Sequence, residues 1–134
     1  MSDKAEVTTK RATALAARGV WKIFGAHADR FARLAPAERT AEALAREGLV
    51  GAVQDASFEI GRGEVFVIMG LSGSGKSTLI RHFNQLIEPT AGRIMVFGED
   101  VLKLSPAALR DFRRKKISMV FQHFALLPHK TVLD

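Results

Sequence analysis

A chain of 134 residues with 47% hydrophobic side chains is long and apolar enough to bury a core, which excludes disorder as its default state. It has no cysteine, which excludes disulfides and thiolate metal sites and fits a reducing compartment; residues 1–19 mix acids and bases without the apolar core of a signal peptide, and no later run approaches the length of a membrane span. A net charge of +6 suits a phosphorylated ligand, a membrane surface or nucleic acid, but the bases are dispersed. The tightest group, Arg113, Arg114, Lys115 and Lys116, has no interleaved aromatics to stack on bases, so it reads as a solvated helix end and no nucleic-acid partner is expected.

In chain order, RGVWKIFG (18–25) has the composition of a strand ended by glycine. PAERTAEALAR (36–46) predicts a short helix, with Pro36 in the first turn, a Glu42 to Arg46 pair and Gly48 as the stop. GAVQDASFEI (51–60) alternates as a half-buried strand, and GRGE turns it into EVFVIM (64–69), which predicts a hairpin. EVFVIM is apolar at every position after its first, the pattern of a central strand in a parallel sheet. Beyond a glycine-rich stretch, Leu79, Ile80, Phe83, Leu86 and Ile87 recur at helical spacing, opposite Arg81, Asn84, Gln85 and Glu88, and predict a helix ending before Pro89. RIMVFG (93–98) reads as a strand, SPAALRDFRR (105–114) as a helix with Ser105 at the N-cap and Pro106 at N1, and ISMVFQ (117–122) as a last strand. The domain reading is a tail over 1–17 and one domain portion over 18–134, with a helical insertion at about 30–48. The four histidines, His27, His82, His123 and His129, have no metal-ligand spacing and read as surface or core residues.

GLSGSGKST holds the chemistry. Gly70, Gly75, Lys76 and Ser77 fit GxxxxGK(S/T) between an apolar strand and an amphipathic helix. Glycines let the backbone turn its N–H groups inward, and the helix N-terminus adds its positive end, so the loop through Ser72, Gly73, Ser74 and Gly75 forms a polyphosphate cradle. Lys76 is expected at the β- and γ-phosphates, the Ser77 hydroxyl on Mg2+, and Thr78 at the α-phosphate. A plain connecting turn has no need of a lysine followed by two hydroxyls.

GLSGSGKST, LIEPTAGRIMVFGEDV and RRKKISMVFQHFALLPHKTVLD, in that order and spacing, resemble the ATP-binding subunits of ABC transporters. The resemblance implies an α/β fold, a P-loop NTPase core with an N-terminal antiparallel β segment, incomplete and ending just after the Q-loop. It implies ATP and Mg2+ as cofactors, Phe24 as the aromatic that stacks on adenine, with Trp21 as a competing ring, and Gln122 as the Q-loop glutamine at the Mg2+ or attacking water. The long segment between KIFG and GAVQDASF, with VFVIMGLSGSGKSTLIR and IEPTAG, is similar to the glycine betaine/proline uptake subgroup. That implies an ATPase powering import of a quaternary-amine osmoprotectant, cytoplasmic and peripheral on the inner face of the cell membrane, with a permease subunit and a second ATP-binding subunit as partners.

By the same resemblance a signature segment, an Asp-Glu pair and a switch histidine are expected after Asp134, so the sequence reads as the N-terminal part of such a subunit, inactive alone. The alternatives are a stand-alone P-loop kinase, which usually opens with the loop strand, and a nonenzymatic nucleotide-binding module.

Overall fold

A computed structural model describes residues 11–121 and residue 131. Its frame is one antiparallel sheet built around β1 (Thr13–Phe24), a 12-residue strand paired on one edge with β2 (Val50–Gly61) and on the other with β3 (Ala91–Val96). The two-residue β4 (Glu99–Asp100) adds to β3, giving the order β2-β1-β3-β4. β1 begins at Thr13, so residues 13–17, expected in the tail, belong to the sheet. Their sequence, TALAA, has little strand propensity; position between two partners decides it, with Ala16 and Ala17 both buried.

After Phe24 the chain forms α1 (Ala28–Ala32), a 3-10 turn at Pro36–Glu38 and α2 (Ala41–Arg46). The sequence predicts one helix over 36–46 and no α1. The break falls at Arg39 and Thr40. Arg39 turns its guanidinium back to the carbonyl oxygens of Leu34 (3.0 Å) and Ala32 (2.6 Å), and the Thr40 hydroxyl caps α2 by accepting from the Ala43 N–H at 3.1 Å. Phe31, Ala43 and Leu44 from these helices bury with Leu49 against Trp21 and Ile23, and the Trp21 and Phe31 rings meet at 5.7 Å. Each of the buried Phe, Leu and Ile side chains contributes about 1.5–3 kcal/mol.

The other cluster joins Ala17, Val20, Val53, Ile94 and Val96 of the sheet to Phe83 of α3 (Lys76–Phe83), to Val101, and to Phe112 of α4 (Pro106–Lys115). As predicted, Pro106 opens α4 and the Ser105 hydroxyl accepts from the Ala108 N–H at 3.2 Å. α3 stops five residues short of Glu88. Gln85 adopts a left-handed φ of 58°, and Arg113 donates to the carbonyl oxygens of Asn84 (2.8 Å) and Gln85 (2.7 Å) just past the helix end. The basic cluster is the exposed end of α4, as expected, and it also makes contacts: Arg113 reaches the end of α3, Lys115 pairs with Asp111 at 3.0 Å, and the Lys116 ammonium lies 5.8 Å from the Phe97 ring centroid.

EVFVIM is the main departure from the sequence reading. Residues 64–69 are not a strand and form no hairpin with β2; Val65 is 89% exposed. The turn itself forms, with the Glu64 N–H donating to the Gly61 carbonyl at 3.2 Å and the Glu64 carboxylate accepting the Gly61 N–H at 2.7 Å, but the chain beyond it does not pair back on β2. Among the described residues no strand pairs with either edge of 64–69, so a pattern that needs neighbours on both sides finds none. Phe66 still anchors by stacking on Phe58, centroids 5.0 Å apart. Residues 117–121 are likewise outside any strand, and residues 117–119 line, with Phe66 and Ile68, a largely apolar groove of about 310 Å3 beside Ile80 and Phe83. No helix of the described residues is long and apolar enough to cross a membrane.

Candidate functional site: the glycine loop

The loop runs from Gly70 into α3, and its seat is a bulge in β2. Along β1 and β2, Lys22 pairs with Val53 and Ile23 with Gly51, which leaves Ala52 as an extra residue bulged from the ladder. Gly75, the N-cap of α3 with φ 90°, packs directly on that residue: a Cβ built there would collide with the Ala52 carbonyl oxygen. Only glycine satisfies both the conformation and the approach.

Lys76 folds over its own loop. Its ammonium donates to the carbonyl oxygens of Gly70 (2.6 Å) and Leu71 (2.7 Å), with the Ser74 hydroxyl at 3.4 Å. The Leu79 N–H makes the first backbone bond of the helix, to the Gly75 carbonyl, so the N–H groups of Lys76, Ser77 and Thr78 precede it without intrahelical acceptors and no side chain caps them. Residues 73–78 and Ala52 line a cavity of about 290 Å3. A lysine charge, free N–H groups and the positive end of a helix converge there, the composition of an anion cradle.

Phe24 pairs with Val50 at the end of β1, two residues along β2 from the Ala52 bulge, so its ring and the loop share one end of the strand pair. It is 47% exposed, whereas Trp21 is 6% exposed and belongs to the core. Gln122 lies outside the described residues, as do His123 and His129.

The sequence reading left Thr90 and His82 unassigned to this neighbourhood. Thr90 stitches the segment after α3 to the end of β1: its N–H donates to the Trp21 carbonyl at 2.8 Å, and its hydroxyl accepts the Ile23 N–H at 2.9 Å. His82 is fully buried on α3. Its Nδ1 stands 2.6 Å from the Thr78 carbonyl oxygen, which can only accept, so Nδ1 carries the proton; buried Nε2 has no hydrogen-bond partner among the described residues. Burial holds the imidazole below its usual pKa, the Thr78 and Leu79 backbone opposing and the Lys22 charge assisting. A signal existed: His82 falls on the Leu79, Phe83, Leu86 stripe at spacings of three and four.

A GxxxxGK(S/T) loop at the start of a helix, seated on a neighbouring antiparallel strand pair, has the residue pattern found in phosphate-loop nucleotide-binding proteins. The chain belongs to the ABC transporter family, whose profile matches residues 53–134. It is 53% identical over 121 residues to the glycine betaine/proline betaine transport system ATP-binding protein ProV of Salmonella typhimurium, covering 90% of this chain and 30% of that protein. It is 53% identical over 116 residues to the glycine betaine transport ATP-binding protein OpuAA of Bacillus subtilis, covering 86% and 28%. The chain thus spans under a third of the length of these relatives. Among solved structures, a dimeric ATP-binding cassette in a post-hydrolysis state with ADP and Pi superposes with a TM-score of 0.67 at 29% identity, covering 87% of this chain and 42% of that one. The expected partial cassette fold is therefore present, as its antiparallel β segment and helices, without the strand expected before the loop.

Proposed function

We propose that this chain forms the nucleotide-gripping part of an ATP-binding subunit that powers import of glycine betaine or a related quaternary-amine osmoprotectant. The observation that carries the nucleotide reading is the Gly75 seat on Ala52, which aims a lysine and the uncapped start of α3 into one small cavity. The transported substrate rests on the relatives' names alone. Its partners on this reading are a permease subunit and a second ATP-binding subunit, at the inner face of the membrane.

Lys76 would exchange the Gly70 and Leu71 carbonyls for β- and γ-phosphate oxygens, and the N–H groups at the start of α3 would take the remaining oxygens. The hydroxyls of Ser77 and Thr78 have no hydrogen-bond partner among the described residues and border the same cavity, which fits Ser77 as a Mg2+ ligand and Thr78 at the α-phosphate. Bound Mg2+ would neutralise phosphate charge; Gln122 is the second proposed contact to it. Phe24 would support adenine.

Among the described residues no carboxylate lines the loop cavity, and a grip equal in ground and transition states accelerates nothing, so the chain itself is proposed to bind Mg-ATP without turnover. Titration with a fluorescent ATP analogue should show saturable binding that Lys76→Ala abolishes, and phosphate release should match the buffer control. Equal binding by Lys76→Ala would overturn the loop assignment. Release that is lost in Lys76→Ala would overturn the view that the chain lacks catalytic groups.

A further inference from the structure

Lys22 lies beside the proposed base platform. It follows Trp21 on β1 and shares a strand face with Phe24, two positions on. Its ammonium lies 5.1 Å from the Phe24 ring centroid, over the ring, and donates to the Glu88 carbonyl oxygen at 2.9 Å. Glu88 belongs to the segment that leaves α3 and enters the Thr90 stitch, so the cation is tied to the exit of the loop helix while it covers one face of the ring. The Phe24 side chain otherwise stands half exposed at a strand end, where a ring has rotamer freedom to lose when a ligand stacks on it.

We propose that Lys22 is a positioning residue that fixes the Phe24 ring from one face, leaving the opposite face as a set platform for the purine of a bound nucleotide. The proposal rests on the reading of the loop as an ATP site and of Phe24 as its base platform. An ammonium over a ring face is attracted by the ring quadrupole, and the Glu88 carbonyl keeps that ammonium from wandering. Ordering the ring before the base arrives removes part of the ordering cost from binding. Lys22 has no direct role at the phosphates on this account, so its effect is confined to ligands that carry a base.

The chain and its Lys22→Met, Lys22→Arg, Phe24→Ala and Lys22→Met/Phe24→Ala variants are titrated with Mg-ATP and with inorganic tripolyphosphate. Lys22→Met should weaken ATP by roughly two- to fivefold, the worth of an exposed cation over a ring, with tripolyphosphate unchanged. Lys22→Arg should recover most of that loss, and Lys22→Met should add nothing in the Phe24→Ala background. An equal loss for both ligands would show that the Glu88 tie merely supports the fold. A loss that persists in the Phe24→Ala background would place Lys22 on the nucleotide itself, and an unchanged or tighter ATP affinity would show that its ammonium is idle or in the way of the base; each overturns the proposal. If Phe24→Ala equals the parent for ATP, the platform reading fails; if the parent binds neither ligand, the loop reading fails first.

Discussion

Two aromatic residues three apart on one strand have opposite fates. Trp21 packs into the insertion core with Phe31 5.7 Å away, while Phe24 ends the strand half exposed. Trp21→Ala should therefore destabilise the chain by about 3–5 kcal/mol, the range for truncating a buried aromatic, and act on nucleotide affinity only through folding. Phe24→Ala should leave the melting temperature nearly unchanged and weaken ATP by about 1 kcal/mol, by analogy with bases stacked on aromatics. Thermal melts paired with ATP titrations separate the two. If Trp21→Ala folds normally and selectively loses ATP, the rings exchange roles. His82 makes a prediction of another kind. Its folded-state pKa is depressed, so below the ordinary histidine value of about 6.5 the unfolded chain takes up a proton that the folded chain resists, and stability falls as pH drops through that value. Denaturation at pH 7.5 and 5.5 should show this loss, and His82→Asn should make the drop shallower. A drop of equal size in the variant would assign the acid sensitivity elsewhere.

At the scale of elements, local sequence was most informative where an element closes on itself. Ser105, Pro106 and the apolar spacing that follows specify α4 without help, because cap and helix are bonded within a few residues. The loop and α3 were legible for the same reason, although the end of α3 was not, since Arg113 reaches it from another helix. Residues 64–69 show the reverse. Their apolar run demands partners on both edges, and among the described residues it has none, so Val65, Val67 and Met69 stand exposed near the open groove. Such a stretch invites association. The chain should elute as concentration-dependent oligomers, and Val67→Lys should shift it towards monomer without loss of helix content. A monodisperse parent at high concentration would show that the apolar stretch is covered in solution.

For the whole molecule, residue order alone determined the glycine loop at the start of α3 and the capped α4, because each is written in contacts between residues close in the chain. It also carried the family resemblance. Only the tertiary structure decided that the alanine-rich residues 13–17 are strand, since two flanking strands outweigh their propensity. It likewise seats Gly75 on a bulge at Ala52, buries Trp21 while leaving Phe24 open, and sets the Lys22 ammonium over that ring with its anchor at Glu88, 66 residues away. Those outcomes depend on which distant residues meet, and the local periodicity of side chains does not encode where a bulge shifts the register or which of two nearby rings a later helix will cover.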